Sequence, residues 1–148
     1  MEIVCKSFKE LSNHQLYQIL KLRVDVFVVE QDCPYPELDN LDYQAAHIFK
    51  EDRKSESILG YTRVYSKNND CAAIGRVVVA KSARGTELSK KLMKHSIEYA
   101  TINLTPKKIV LSAQNAITDF YDSFGFKVCS SIYLEDGIPH VVMELPIK

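Results

Sequence analysis

The run Val77-Val78-Val79-Ala80-Lys81-Ser82-Ala83-Arg84-Gly85-Thr86-Glu87-Leu88-Ser89 decides the fold. With Ile74 just before it, the apolar part is too continuous for a strand with one wet face, so residues 72–80 read as a central strand. A short turn leads directly into a helix over 84–101. Its apolar stripe is Leu88, Leu92, Met93, Ile97 and Ala100, and Lys90, Lys91, Lys94 and Glu98 cover the other face. A strand that feeds a helix N-terminus makes an anion site, because the first-turn amides lack intrahelical partners and the dipole is positive there. Arg84 adds a fixed charge, and Gly85 lets the backbone come close to a phosphate. An Arg-Gly pair opening a helix is also simply a turn.

Upstream, residues 2–8 read as a first strand. In Leu11-Ser12-Asn13-His14-Gln15-Leu16, Ser12 caps the Gln15 amide while Gln15 reaches back, and Leu11 staples onto Leu16. Leu16, Ile19, Leu20, Val24 and Phe27 form one apolar face of a helix ending near Val29. Residues 30–42, with Pro34 and Pro36, read as a long ordered loop of the kind that carries function. Residues 46–50 and 57–65 alternate like strands around a polar turn.

Downstream, Pro106 breaks the helix and 107–113 reads as another strand. Ile117, Phe120, Tyr121 and Phe124 repeat at helical spacing, and Gly125 suits a left-handed cap. Residues 127–134 and 139–145 finish as two strands around Glu135-Asp136-Gly137. The order βα, loop, three strands, α, β, α, β, β predicts a mixed α/β sheet.

The 148 residues are 46% hydrophobic and 26% charged, which fits one folded domain over 1–148 and excludes a disordered chain. Nineteen basic residues balance nineteen acidic ones, so the positive excess of a nucleic-acid binder is missing and no nucleic acid is expected as partner. No apolar run approaches the roughly 20 residues that span a bilayer, and the N-terminus lacks a signal-peptide core. No membrane partner is therefore expected. Cys5, Cys33, Cys71 and Cys129 form no CxxC pair, which fits free thiols in a reducing, cytoplasmic compartment. His14, His47, His95 and His140 show no HxH or HxxxH spacing, so no metal is expected.

Two further elements carry a resemblance. Gln114 stands seven residues before Tyr121, and Tyr121-Asp122-Ser123-Phe124-Gly125-Phe126 follows. Together with the strand–turn–helix at 77–100, these resemble the GNAT superfamily of acyl-CoA-dependent N-acetyltransferases. The family's pyrophosphate loop, Gln/Arg-x-x-Gly-x-Gly/Ala, falls on Arg84 to Ser89, and its Tyr-x-x-x-Gly-Phe element on Tyr121 to Phe126. Phe27-Val28-Val29-Glu30-Gln31, Cys33-Pro34-Tyr35, Ile74-Gly75-Arg76-Val77 and Glu135-Asp136-Gly137-Ile138-Pro139-His140 look like the bacterial ElaA branch. The loop departs from the pattern where Glu87 and Ser89 replace its two small residues. Glu87 brings a carboxylate near the phosphate site, and Lys90, Lys91 and Lys94 offset it.

The resemblance implies an α+β domain with a mixed, mostly antiparallel sheet of six to seven strands flanked by about four helices. It implies acetyl-CoA as co-substrate, bound in a cleft between the strands at 77–79 and 109–113. Val77, Val78 and Val79 would follow the pantetheine arm. Arg84, Gly85, Thr86, Glu87, Leu88, Ser89 and Lys90 would hold the pyrophosphate, and Gln114 belongs to the same set. An amine attacks the thioester directly in a ternary complex. Tyr121 is the family-matched general acid to the CoA thiolate, a leaving group with an ordinary pKa of about 8.5; its bland alternative is a core tyrosine. A base is expected, with Glu30, Asp39, Asp42, His47 and His140 as candidates. Arg23, Glu30, Arg63, Arg76 and His140 are the substrate-side candidates, the arginines alternatively pairing with Glu30 or Asp39. The acceptor is a small-molecule or peptide amine, and exposed sheet edges are compatible with a homodimer. Two alternatives stay open: a non-catalytic acyl-CoA-binding module, because of Glu87 and Ser89, and an enzyme like the acyl-homoserine-lactone synthases.

Overall fold

The computed structural model describes residues 3–148. The first strand, β1, is Val4–Ser7, and residue 2 of its expected span lies outside the described residues. Helix α1 (Asn13–Arg23) opens as its sequence dictates: Ser12 Oγ accepts from the Gln15 amide at 3.0 Å, and Gln15 Oε1 accepts from the Ser12 amide at 3.0 Å. The chain does not stay α-helical to Val29. From Val24–Glu30 it widens into a π-helical segment, a form that recurs beside functional sites.

Strands β2 (Ala46–Glu51), β3 (Ile58–Asn68) and β4 (Cys71–Val79) follow. Helix α2 runs over Leu88–Tyr99, and a π-helical turn, Ala100–Leu104, closes it. It starts four residues later than the expected residue 84, at Leu88, the first residue of its apolar stripe. A 3-10 turn at Lys81–Ala83, an extended Arg84 and a left-handed Gly85 (φ 79°) come first. Thr86 then fastens the turn, its Oγ1 donating to the Ala83 carbonyl at 2.6 Å. Then come β5 (Lys108–Gln114), a short α3 (Thr118–Asp122), β6 (Lys127–Val128), β7 (Tyr133–Glu135) and β8 (Ile138–Pro146). Gly125 does cap α3 in the left-handed region, at φ 100°. The expected strand 127–134 is two strands: the Cys129 amide still donates to the Val142 carbonyl at 2.9 Å, but Ser130 Oγ accepts from the Val142 amide and residues 130–132 leave the ladder.

The sheet runs β1-β2-β3-β4-β5-β8-β6, with β7 also pairing β8. Among the described residues it therefore holds eight strands, and three α-helices flank it. All neighbours are antiparallel except β4 and β5. That parallel pairing lasts only from Cys71↔Lys108 to Ala73↔Val110. A bulge explains the parting: Tyr61 faces Val78 but Arg63 faces Gly75, so Arg76 and Val77 oppose Thr62 alone, and Arg76 sits at φ 53°. Such an extra residue bends and twists its strand.

Apolar side chains cover both faces. On one, Leu88, Leu92 and Met93 of α2 pack with Ile74, Ile109, Leu111 and Met143. Gly60 admits α2 closely; a Cβ there would come within 2.8 Å of Leu88 and Leu92. On the other, Ile19, Leu22 and Val26 pack against Phe49, Tyr61 and Val78. The result is a three-layer sandwich with a gap in its middle layer.

Candidate functional site

Where β4 and β5 part, a cleft of about 770 Å³ opens between the two faces of the sheet. Val77, Val78 and Val79 line one side and Gln114 the other, and Arg63, Arg76, Arg84, Tyr121 and His140 also reach it. With Asp39, which also lines it, the chain gathers ten candidate residues from sequence into one cavity. Residues 85–90 lie beyond its wall, at the start of α2. Among the described residues, the amides of Gly85, Thr86, Glu87, Ser89 and Lys90 have no backbone partner. The Leu88 amide donates to Thr86 Oγ1 at 3.3 Å while its side chain is core. Glu87 provides no cap; its carboxylate is exposed, 3.5 Å from Lys90 Nζ.

Tyr121 packs edge-on against Phe120 and Phe126 and is 6% exposed. Among the described residues its hydroxyl has no hydrogen-bond partner. Burial pushes its pKa up to about 12, so the phenol keeps its proton throughout the physiological range.

Arg84 and Glu30 form a pair that spans 54 residues of sequence. Nη1 and Nη2 of Arg84 donate to Oε2 and Oε1 of Glu30 at 2.8 and 2.9 Å, a bidentate fork, while Nε donates to the Val79 carbonyl. Hydrogen bonding to Arg84 lowers the Glu30 pKa. The cation expected at the phosphate site is already matched by a carboxylate from the π-helical segment.

Arg23, Arg63 and Arg76 interlock with Glu37, Asp39 and Asp42 at one end of the cleft. Arg23 is fully buried and donates from Nε to Glu37 at 2.6 Å and from Nη1 to Asp42 at 2.7 Å. Arg63 donates to both Asp39 oxygens and to Asp42 at 3.0 Å. Arg76 donates to Glu37 at 2.7 Å and to Asp39 at 3.3 Å. Three cations meet three carboxylates, and the loop over 31–42 is tied down by them. Burial would raise the Asp39 pKa, but hydrogen bonds from Arg63 and the Leu41 amide outweigh it and hold the carboxyl at about 2. Asp39 is thus an arginine partner, as foreseen, whereas Glu30 pairs with none of these three. His47 is buried with both nitrogens engaged, Nδ1 at 2.6 Å from Tyr61 Oη and Nε2 at 2.9 Å from the Asp42 carbonyl.

The cleft also holds groups that the sequence reading did not name as site residues: Ser112, Tyr133 and Glu135, the last quoted only within the Glu135–His140 block. Ser112 Oγ bonds Tyr133 Oη and donates to Glu135 Oε1 at 3.2 Å. His140 lies behind them, Nδ1 at 2.7 Å from the Ile138 carbonyl and Nε2 at 3.5 Å from Glu135 Oε2.

A sequence profile for the Acetyltransferase (GNAT) domain matches residues 16–147. The chain belongs to the GNAT acetyltransferase family. Among its GNAT relatives, a UPF0039 protein of Schizosaccharomyces pombe is 40% identical over 99% of this chain and 98% of its own length. Protein ElaA of Escherichia coli is 39% identical over 90% of this chain and 89% of its own. The ElaA crystal structure superposes with a TM-score of 0.89 at 38% identity, covering 97% of this chain and 99% of that one. An acyl-CoA N-acyltransferase from Pseudomonas aeruginosa does so at 0.89 and 36%, covering 97% of each. An acyl-homoserine lactone synthase solved with isopentyl-CoA shares the fold alone, at 17% identity over 99% of this chain and 83% of that one, with a TM-score of 0.80. This GNAT chain has four free cysteines. Among its described residues no helix is long and apolar enough to cross a membrane, and no group of three or more His, Cys, Asp or Glu is placed to hold a metal.

Proposed function

We propose that this GNAT chain is an N-acetyltransferase that moves the acetyl group of acetyl-CoA to a primary amine by direct attack in a ternary complex. The observation that carries the reading is the interrupted sheet. Beyond Ala73 the edge of β4 toward β5 has no strand partner, so Val77, Val78 and Val79 offer free backbone groups to an extended arm that itself contains amides. At the end of that edge, the amides of residues 85–90 and the start of α2 suit a pyrophosphate. Gly85, left-handed with nothing within 4 Å of its missing Cβ, leaves room for it.

Tyr121 supplies the acid. Its hydroxyl is protonated, free of protein partners and on the cleft wall, so it donates to the sulfur as negative charge develops there. Gln114, at the end of β5, orients substrate from the opposite side.

A second reading, an acyl-CoA-binding module without turnover, is favoured by the Glu30–Arg84 fork and by Glu87 in the phosphate loop. Titration calorimetry with acetyl-CoA, with adenosine 3′,5′-bisphosphate as control, combined with thiol release over a panel of primary amines, separates the two. Saturable binding with thiol release supports the acetyltransferase. Binding without release from any amine supports the module. No binding overturns both.

A further inference from the structure

On β5 and β8, Leu111, Ala113, Val141 and Met143 belong to the core beneath α2 and α3, so Ser112, Gln114 and His140 point to the other face. Tyr121 packs with the first set. The cleft therefore passes through the sheet, with the tyrosine entering from one face and the Glu135–His140 cluster from the other.

The hydrogen bonds fix which nitrogen carries hydrogen in the neutral imidazole. His140 Nδ1 lies 2.7 Å from the Ile138 carbonyl, which only accepts, so Nδ1 carries hydrogen. In the neutral ring the lone pair is then on Nε2, and it faces Glu135 Oε2 across 3.5 Å. Two acceptors so placed suit a donor that bridges them, such as a ligand carrying two N–H groups. The remaining groups leave that place free. Glu135 Oε1 is taken by Ser112 Oγ, Tyr133 stacks on the imidazole at 6.2 Å between centroids, and Cys33 Sγ donates to the Asp136 carbonyl at the hairpin tip. Gln114 faces His140 across the strand pair.

We propose that the Glu135–His140 gap binds the ammonium group of the acceptor and that His140 Nε2 takes its proton. The proposal rests on the acetyltransferase reading. One ammonium N–H points to Glu135 Oε2 and a second to His140 Nε2. The second N–H bond breaks, its electron pair stays on nitrogen, and the proton forms an imidazolium beside Glu135. The freed pair forms the C–N bond with the thioester carbonyl carbon. The C–S bond breaks, its pair leaves on sulfur, and sulfur takes the Tyr121 proton. The amide nitrogen sheds its second hydrogen to solvent, which refills Tyr121, and the imidazolium returns its proton to solvent. Asp136 adds negative charge next to Glu135, and the buried Arg23 and Arg63 and the half-buried Arg76 are already matched by carboxylates. The acceptor class is therefore an alkylammonium without a neighbouring carboxylate, such as a lysine side chain or a diamine.

Two measurements test this with cadaverine and Nα-acetyl-lysine amide as probes. Glu135→Gln and His140→Gln should lower kcat/KM at neutral pH by about 100-fold or more, the usual worth of a general base, with calorimetric acetyl-CoA affinity unchanged. The His140→Gln deficit should narrow toward a pH of about 10, where a substantial fraction of the amine is itself neutral. A loss that is even across pH, or that takes acetyl-CoA binding with it, overturns the proposal. Independently of turnover, imidazole ¹⁵N spectra of the CoA-saturated protein should show Nε2 unprotonated and moved by cadaverine, but not moved in Glu135→Gln. An Nε2 already protonated and indifferent to cadaverine overturns it. Failure of the protein to bind CoA at all is read separately and overturns the acetyltransferase reading beneath it.

Discussion

Arg23→Met is the sharpest test of how the cleft is held open. The substitution keeps the length and apolar stem of the side chain but removes hydrogen bonds to Glu37 Oε2, Asp42 Oδ1 and the Glu37 carbonyl. The cluster goes from three cations against three carboxylates to two against three, at a position with no solvent exposure. Taking one partner from a buried ion network costs about 3–5 kcal/mol, because the remaining charge is left uncompensated. A domain of this size loses about 2–4 °C of Tm per kcal/mol, so the midpoint should fall by roughly 6–20 °C. The pH dependence identifies the cause. Burial raises the Asp42 pKa, but hydrogen bonding and charge from Arg23 outweigh it and leave it lowered. In the native protein that carboxylate stabilises the fold above its ordinary pKa, and the contribution fades as pH falls. Without Arg23 its pKa rises, so the deficit should be largest near neutrality and shrink on acidification. Urea denaturation at several pH values reads both effects. An unchanged midpoint, or a deficit that grows toward acid, refutes the electrostatic account.

Glu30→Gln frees Arg84 from its carboxylate, and calorimetry should show tighter binding of acetyl-CoA and of adenosine 3′,5′-bisphosphate, by about 3–10-fold at low salt and less at high salt. Weaker binding would mean that the fork positions Arg84 for the phosphates instead of competing with them. Tyr121→Phe should cut kcat by about 10–100-fold with acetyl-CoA affinity intact. Because burial holds Tyr121 protonated to about 12, no fall in the native rate below that pH should come from its ionisation; a pH–rate profile whose alkaline limb disappears in Tyr121→Phe would contradict this.

Features set by neighbours in sequence were the ones that sequence could reveal. The Ser12–Gln15 box, the central apolar run before Arg84 and the left-handed Gly125 each depend on contacts a few residues apart. The start of α2 was not legible. Thr86 and the positive φ of Gly85 hold 84–87 out of the helix, a local constraint that the apolar stripe from Leu88 onward does not report. Periodicity is equally silent about π-helical widening after Arg23, since its apolar face is unbroken. Arginine pairing was foreseen as a type of contact, and Asp39 as one partner, but Glu37 and Asp42 were not. Glu37 and Asp42 meet Arg23 across 14 and 19 residues, distances set only by how the loop folds back. Glu135 was overlooked because a carboxylate at a hairpin tip looks like an ordinary solvated charge. One cue was available: in a hairpin that pairs Tyr133 with His140, residue 135 stands on the same side as 133.

The brief pairing of β4 with β5 has a mechanical consequence. Three residue pairs are the hinge between a half-sheet of β1 to β4 and a half-sheet of β5 to β8. Backbone hydrogen bonds join the two halves only there, and the core beneath α2, which takes side chains from both halves, carries the rest of the connection. The width of the opening is therefore set by side-chain packing on one face and not by a ladder.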